Sequence, residues 1–526
     1  MSTNFHRWTA IFAAILLLVT SLACGLSGIL PQEEGLTVLA GSELKDLEPM
    51  LDEIQRATGV RLVMTYTGTL DGAEQILAGE QVDFAWFSHA KYLNLLKGAQ
   101  GRIQAQEKIM LSPVVLGVKH SLAEEWGWVD NPDLTWQDIV EKAGSGELRY
   151  AMTNPSSSNS GFSALVGAAA ALSGKTDALE DADIDRISPE LKTFIQGQAL
   201  TAGSSGWLAD QYVIEQDHLD GIINYESVLL SLNKSGNLHE PLYLVYPKEG
   251  IITADYPLLL INPDQREAYD KVVEYLRSAD VQGEIMQQTL RRPVNLQVPL
   301  SADFPTGLLV ELPFPSQQEV VDHLLFSYLD EQIKPSHTYY VLDVSGSMEG
   351  DRLESLKTAM YNLSGADTSL TGQFARFRNR EKITIIAFSD QIEAQQSFDV
   401  DIDRPDSLDE IRQYVRALET DGNTAIFSAL QAAYQEAARD RAQDPERVYS
   451  IVLMSDGENN SGISQGEFLS GIRGLPGAEG IRAFTILFGE ADQDTMQSIA
   501  EATGGRMFDA SQASLPLIFK EIRGYQ

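Results

Sequence analysis

Five oxygen-bearing residues, far apart along the chain, share one kind of sequence context. Asp343, Ser345 and Ser347 lie in YYVLDVSGSM, Thr424 lies in TDGNTAI, and Asp456 lies in VLMSDGE. Each group follows an apolar, strand-like run or precedes a helical pattern. In open α/β sheets the loops at the carboxyl ends of the strands form the ligand crevice. We therefore expect these five residues to meet at one edge of a sheet.

The donor types predict which ion such a site would hold. Carboxylates and hydroxyls are hard oxygen ligands, which suit Mg²⁺, Mn²⁺ or Ca²⁺ and not zinc or copper. Two carboxylates only neutralise a divalent ion, so an open position would attract an anionic oxygen. The D-x-S-x-S pattern alone is also typical of a capped turn, because Asp and Ser bond local backbone. The complete set, in this order, favours the metal interpretation.

The same residues resemble a known family. DVSGSM, Thr424 and Asp456 together resemble the metal-ion-dependent adhesion site of von Willebrand factor A domains, over roughly residues 336–526. The resemblance implies that Ser345, Ser347 and Thr424 contact the ion through hydroxyls, and that Asp343 and Asp456 bind it directly or through water. It also implies that a carboxylate of an acidic protein partner completes the coordination. The turn before the threonine reads DGNT, where a second glycine is common in the family.

Strands and helices that would position this set alternate along the C-terminal region. Strands are predicted at Tyr339–Asp343 and Ile383–Phe388. The apolar runs Val448–Met454 and Ile481–Phe488 suit buried parallel strands. Helices are predicted at Asp351–Leu363, Leu408–Leu418, Ala425–Ala438 and, as the last helix, Thr495–Ala502. The alternation indicates an α/β fold with a doubly wound, mostly parallel sheet.

The N-terminal region shows the same alternation and a second resemblance. Its stretches TVLAGSELKDLEPML, DFAWFSHAKYL and NPSSSNSGFSAL resemble ligand-loop elements of the bacterial extracellular solute-binding proteins, which have a two-lobed, periplasmic-binding-protein-like fold. PVVLGVK and PLYLVYPKEG resemble the two strands that cross between the lobes. The resemblance implies two α/β lobes joined by a hinge, with the ligand in the cleft between them.

The candidate solute-binding residues follow strands or precede a helix. They are Ser42, Thr67, Gly68, Ser88, Ser156, Ser157, Ser160 and Tyr225. The serines lie before the predicted helix Phe162–Leu172, whose free N–H groups would attract an anion. An anionic small solute is therefore one candidate, although Glu226 would oppose it and no Arg or Lys lies in these loops. The alternative for the serines is a helix cap and a flexible loop.

Composition restricts the class of partner. The chain has 526 residues and a formal net charge of −36 at pH 7. A phosphate backbone would be repelled, so we expect no nucleic-acid partner. The single cysteine, Cys24, excludes an intrachain disulfide and a thiolate zinc cluster.

The position of Cys24 indicates a targeting segment. A basic start, the apolar run Ile11–Val19 and small residues before Cys24 are typical of a signal peptide. A lone cysteine at that junction resembles a bacterial lipoprotein signal, which implies lipid on Cys24 and membrane anchoring. Plain secretion and an uncleaved anchor are the alternatives, since Ser21 stands where lipoproteins usually carry Leu. All three predict an extracytoplasmic protein.

These observations predict five segments. They are a signal peptide at 1–23, a tether at 24–34, a two-lobed solute-binding-like domain at 35–300, a Pro-containing linker at 301–337 and a von Willebrand factor A domain at 338–526. The favoured function is non-enzymatic: solute capture by the first domain and Mg²⁺-dependent (or Mn²⁺- or Ca²⁺-dependent) binding of an acidic protein by the second. The alternatives are a solute receptor of an ABC-type transporter with an accessory metal domain, and a metal-dependent hydrolase or complex-assembly factor.

Overall fold

The computed structural model describes residues 35–305, 307, 309–401, 404, 406–511 and 513–526. The predicted signal peptide, the tether and Cys24 lie outside the described residues. Within the described part, no helix has the length and apolar character needed to cross a membrane.

Two sheets form the N-terminal half. Their strands are β1 (Leu36–Gly41), β2 (Leu62–Thr67), β3 (Phe84–Trp86), β4 (Ala105–Lys108), β5 (Met110–Lys119), β6 (Tyr150–Thr153), β7 (Gln198–Ala202), β8 (Gly221–Tyr225), β9 (Leu242–Val245), β10 (Thr253–Ala254), β11 (Pro257–Leu260) and β12 (Arg292–Pro293). The first lobe has the order β2-β1-β3-β11-β4, and the second has β10-β5-β8-β6-β7 with β9 and β12 also paired to β5. The predicted two-lobed α/β fold is therefore present.

The chain passes between these two sheets three times, the third time between β11 and β12. It leaves the first sheet between β4 and β5, as the PVVLGVK run predicted, and returns between β10 and β11. The prediction that PLYLVYPKEG makes the return crossing was wrong, because β9 stays in the second sheet beside β5. Sequence similarity to a crossing strand did not locate the crossing, which follows Ala254.

Helices cover both sheets of the N-terminal half. They are α1 (Glu48–Thr58), α2 (Thr69–Ala78), α3 (Lys91–Leu95), α4 (His120–Glu125), α5 (Trp136–Gly144), α6 (Asn159–Ser173), α7 (Asp181–Gln196), α8 (Ser205–Glu215), α9 (Glu226–Ser235), α10 (Arg266–Leu276) and α11 (Ala279–Thr289). A further helix, α12 (Gln318–Ser327), lies in the Pro-containing segment and is followed by a π-helical turn at Tyr328–Gln332.

A third sheet forms the C-terminal domain. Its strands are β13 (Ser336–Asp343), β14 (Lys382–Phe388), β15 (Ile392–Asp399), β16 (Val448–Ser455), β17 (Arg482–Leu487) and β18 (Met507–Asp509). They run in the order β15-β14-β13-β16-β17-β18. All neighbours are parallel except β14 and β15, which form a hairpin. This confirms the mostly parallel sheet that the apolar runs predicted.

Helices lie on both faces of the third sheet. They are α13 (Asp351–Tyr361), α14 (Leu370–Ala375), α15 (Asp406–Arg416), α16 (Ile426–Gln443), α17 (Gln465–Arg473), α18 (Gln493–Ala502) and α19 (Leu515–Ile522). The prediction that α18 is the last helix was wrong, since α19 follows it and buries Leu515, Ile518, Phe519 and Ile522 at helical spacing. The same apolar cluster contains residues of α13, α19 and the second lobe.

Candidate functional site

The fold brings the five candidate metal residues to one edge of the third sheet. Asp343 ends β13, and Ser345 and Ser347 follow it in the loop before α13. Asp456 follows β16, which pairs in parallel with β13. Thr424 lies two residues before α16. Because β13 and β16 are neighbours and run in the same direction, their carboxyl ends place both acids at the same edge.

Hydrogen bonds join four of the five residues. The Ser345 backbone N–H donates to Asp343 Oδ1 over 2.8 Å. The hydroxyls of Ser345 and Ser347 lie 3.1 Å apart, and the Ser347 hydroxyl donates to Asp456 Oδ1 over 2.7 Å. These side chains therefore form one continuous group of oxygen atoms.

The loop that carries Thr424 lies against this group. The Gly346 N–H donates to the Gly422 carbonyl over 3.1 Å, which ties the two loops together. A Cβ placed on Gly457 would lie 3.5 Å from Thr424 Oγ1 and 3.7 Å from Ser347 Oγ. Both hydroxyls thus face the same glycine, and a larger residue at 457 would crowd them.

Both acids of the group are buried. Asp343 has no exposed surface and Asp456 is 1% exposed. Burial raises the pKa of Asp343, hydrogen bonds from Ser455 and Ser345 oppose the rise, and the Asp456 charge adds to it. Ser347, in contrast, is exposed. A buried carboxylate with neutral donors around it, next to a second carboxylate and an exposed hydroxyl, fits a divalent cation that is approached from solvent.

Arg352 is a site residue that sequence reasoning missed. Its Nη1 forms an ion pair with Asp456 Oδ2. It also lies 3.4 Å from the Ser347 carbonyl. Arg352 is the second residue of α13, immediately after the metal-site loop, so its position in the motif was visible in the sequence. Its guanidinium neutralises Asp456 here and would repel a cation bound between the carboxylates.

The described residues contain no group of three or more His, Cys, Asp or Glu side chains placed to hold a metal. The set at the sheet edge has only two carboxylates, and its other three possible ligands are hydroxyls, so it does not belong to that class of metal site.

A cavity of about 1010 Å³ lies between the two lobes of the N-terminal half. Five of the predicted solute-binding residues line it, namely Ser42, Thr67, Gly68, Ser156 and Ser157. The lobes are close together there, since a Cβ on Gly68 of the first lobe would lie 3.1 Å from the Ser157 carbonyl of the second. The cleft is therefore nearly closed.

The other three predicted residues lie behind the wall of this cavity. Ser88 and Ser160 have no exposed surface, and Tyr225 is 1% exposed. The Ser160 hydroxyl lies 2.8 Å from Thr153 Oγ1, and Tyr225 accepts a hydrogen bond from Asn159 Nδ2 over 3.2 Å. These side chains support the residues that line the cavity.

Arg291 is a cleft residue that the sequence analysis did not identify. It lines the cavity and is 1% exposed. Its Nη1 donates to Asp46 Oδ2 over 2.6 Å and its Nη2 to the Glu43 carbonyl over 2.9 Å. Arg291 Nε and Glu43 Oε1 are buried and have no hydrogen-bond partner among the described residues.

Glu226 does not oppose an anion in the cleft in the way the sequence suggested. It is fully buried, and Arg292 donates to both of its carboxylate oxygens over 2.7 Å. Tyr246 donates a further hydrogen bond to the same carboxylate. The charge of Glu226 is thus paired inside the second lobe.

Two family models match the chain. The model for bacterial extracellular solute-binding proteins matches residues 36–289, and the model for the von Willebrand factor type A domain matches residues 339–521. Domains of both kinds are typically binding or adhesion modules.

Two curated relatives match about a third of the chain. Human inter-alpha-trypsin inhibitor heavy chain H3 is 28% identical over 174 residues, which are 32% of this chain and 18% of that protein. An uncharacterized protein of Synechocystis sp. is 29% identical over 183 residues, 33% of this chain and 37% of that protein. The chain thus spans well under half the length of these relatives.

Solved structures match over half of the chain. The periplasmic binding protein AfuA from Actinobacillus pleuropneumoniae, with fructose-6-phosphate bound, is 15% identical, covers 57% of this chain and 98% of its own, and has a TM-score of 0.44. The sulfate-binding protein SubI from Mycobacterium tuberculosis is 20% identical, covers 55% of this chain and 95% of its own, and has a TM-score of 0.40. From the family matches, the chain carries a domain of the bacterial extracellular solute-binding family followed by a von Willebrand factor type A domain.

Proposed function

We propose that this protein is an extracytoplasmic, surface-anchored binding protein with two sites. The cleft of the first domain captures a small solute, and the second domain binds an acidic protein through a divalent cation. The observation that carries the proposal is the group of oxygen atoms in which Ser347 joins Ser345 to Asp456. The two family matches support a binding role over a catalytic one.

Five residues would hold the ion at the second site: Asp343, Ser345, Ser347, Thr424 and Asp456. Their hard oxygen atoms suit Mg²⁺, with Mn²⁺ and Ca²⁺ as alternatives. When bound, the ion supplies a positively charged ligand position for a carboxylate of the partner. Asp343 and Asp456 hold the site from below because both are buried, and the exposed Ser347 marks the side from which a partner approaches.

The first site is suited to a small polar solute, with anions among the candidates. The cavity volume of about 1010 Å³ lies at the upper end of the range for small-molecule sites. Ser156 and Ser157 precede the first turn of α6, whose N–H groups and positive dipole end favour negative charge. The buried Arg291 lines the opposite wall, where its guanidinium is paired with Asp46.

Localisation follows from the first domain and the N-terminal pattern. Solute-binding domains of this family are extracytoplasmic, which supports an exported protein. We propose that lipid on Cys24 anchors the chain to the membrane, with secretion as the alternative. Mass spectrometry of Cys24 in the mature protein tests this directly, since lipidation adds several acyl chains and plain secretion adds none.

Two measurements on the purified full-length protein test the binding functions. Native mass spectrometry should detect a small molecule that co-purifies with the chain and is lost on unfolding. Surface plasmon resonance with an aspartate-containing synthetic peptide should show binding in Mg²⁺ that EDTA abolishes. Equal peptide binding by wild type and Asp343→Ala would remove the metal site from the function.

A further inference from the structure

The C-terminal domain forms part of the wall of the solute cavity. Thr371 of α14 and Lys520 of α19 line the same cavity as Ser42 and Ser157 of the two lobes. Gly524, just after α19, also lines it. The cleft is therefore bounded by both lobes and by the second domain, which a two-lobed binding site does not require.

Contact with the second lobe is close and largely apolar, and Arg482 adds an ion pair with Glu215 of α8. The Tyr525 and Trp207 rings pack edge to face with centroids 5.0 Å apart. A Cβ on Gly203 would lie 2.4 Å from the Tyr525 ring, and a Cβ on Gly524 would lie 2.6 Å from Ser157 Oγ. Since both positions are glycine, the two backbones approach where a side chain would not fit.

The second lobe and the C-terminal domain also share a core. Leu200 and Ala202 of the second lobe belong to the same buried apolar cluster as Phe484, Phe508 and Tyr525. Interdomain interfaces that are large and hydrophobic hold domains in one orientation. We therefore treat the second lobe and the C-terminal domain as one body.

Contact with the first lobe is polar. Glu74 of α2 accepts hydrogen bonds from the Leu370 N–H over 2.9 Å and the Thr371 N–H over 3.3 Å, and from the Thr371 hydroxyl. Lys520 lies 3.5 Å from Asp71 and 3.7 Å from Glu74. The side chains of Asp71, Glu74 and Lys520 are partly exposed, whereas Thr371 is buried, so water can replace the bonds of the three charged groups when the lobe moves away.

Helix α2 connects this polar contact to the cleft. It begins at Thr69, directly after Gly68, which faces Ser157 of the opposite lobe. Asp71 and Glu74 lie on the same helix. A movement that separates Gly68 from the second lobe therefore pulls Glu74 away from α14.

We propose that the C-terminal domain is a latch on the solute cleft. It is fixed to the second lobe through the apolar contact, and it holds the first lobe closed through Glu74, Thr371 and Lys520. Solute entry and release then require the polar contact to break. The proposal concerns the regulation of the solute site and rests on the proposed function only in assigning solute to this cleft.

The test measures lobe separation and needs no identified solute. Asp52 on the first lobe and Lys192 on the second are exposed and suit cysteine substitution and spin labelling. Full-length protein carrying Cys24→Ser, Asp52→Cys and Lys192→Cys has no other thiol. Pulsed electron–electron resonance then gives the distribution of label distances in this background and in latch variants.

Glu74→Gln and Lys520→Met each remove the charge pair of the latch. We expect each to raise the ratio of open to closed molecules about tenfold, seen as a longer-distance population. Glu80→Gln is the matched control, because Glu80 is exposed just beyond α2. It should leave the distribution unchanged.

The linker helix α12 adds a second connection, since Tyr92 of the first lobe donates to Asp322 over 2.8 Å and His323 lies 3.1 Å from Asp181 of the second. The latch variants are therefore expected to loosen the cleft and not to separate the lobes completely. Unchanged distances in both Glu74→Gln and Lys520→Met would overturn the latch. If the cleft binds no solute, native mass spectrometry would detect no bound small molecule, while the latch variants would still show the longer label distances.

Discussion

Gly203→Ala tests whether the second lobe and the C-terminal domain truly share a packed interface. The added methyl would lie 2.4 Å from the nearest Tyr525 ring atom, which is much closer than van der Waals radii allow. Tyr525 cannot move aside freely, because it is 4% exposed and packs against Trp207 and, at 5.6 Å between centroids, Phe508. Overpacking of this kind costs about 1–3 kcal/mol, so we expect the free energy of unfolding to fall by that amount.

The same substitution in a Tyr525→Ala background gives the decisive comparison. Removing the ring leaves space for the methyl group, so Gly203→Ala should then cost close to nothing. The coupling energy between the two positions is therefore expected to be about 1–3 kcal/mol. Urea unfolding of the four proteins, followed by tryptophan fluorescence because Trp207 contacts Tyr525, measures it.

Gly206→Ala is the matched control for this cycle. Gly206 lies in α8, three residues from Gly203, and its Cβ would meet no atom within 4 Å. Alanine is a better helix former than glycine, so we expect a change between zero and about 1 kcal/mol of stabilisation. If Gly203→Ala costs the same with and without the Tyr525 ring, the proposed interface is absent.

Three further predictions follow from single contacts. Arg292→Met should lower the free energy of unfolding by about 3–5 kcal/mol in urea titrations, because it leaves Glu226 buried and unpaired; a loss below about 1 kcal/mol would contradict this. Arg352→Gln should tighten Mn²⁺ binding about threefold to tenfold by calorimetry, because it removes a positive charge from Asp456, and unchanged affinity would argue against it. Burial lowers the pKa of His89 to about 3. As the pH falls below about 6.5, this histidine binds a proton in the unfolded chain but not in the folded protein, so the free energy of unfolding decreases until the pH nears 3. His89→Phe should therefore remove about 2 kcal/mol of the difference in free energy of unfolding between pH 7 and pH 5. An unaltered dependence of the free energy of unfolding on pH would contradict the lowered pKa of His89.

The main features of the C-terminal domain could be predicted because its signals are local. Continuous apolar runs identified the buried parallel strands, and the run Val448–Met454 lies within one residue of the observed ends of β16. In the third sheet β13 pairs in parallel with β16, which brings Asp343 and Asp456 together. Strand β15 was missed because its residues are mostly polar and exposed, as expected for an edge strand.

Helix α19 was missed although its pattern is present in the sequence. Leu515, Ile518, Phe519 and Ile522 recur at helical spacing, and Pro516 occupies an early helix position. This omission matters because α19 carries Lys520, the latch residue that lies close to Asp71 and Glu74 of the first lobe. A closer count of apolar periodicity in the last residues would have found it.

The cleft was predicted less completely, for a physical reason. Ser88, Ser160 and Tyr225 follow the expected strands and loops, but a residue at a strand end can face the cavity or the core, and pattern alone does not separate the two. Arg291 reaches the cleft from a segment far along the chain, where its contact with Asp46 depends on the tertiary fold. The same is true of the pairing of Glu226.

The most direct test of the account is calorimetric titration of Mn²⁺ into EDTA-treated, full-length protein. Wild type should bind one ion per chain at the sheet edge. Ser347→Ala should weaken or abolish that binding while leaving the fold intact, because Ser347 is exposed and its hydroxyl is the shared link of the oxygen group. Glu458→Gln, a change at an exposed acid near Asp456, should bind as wild type. Equal Mn²⁺ binding by wild type and Ser347→Ala would contradict the proposed metal site.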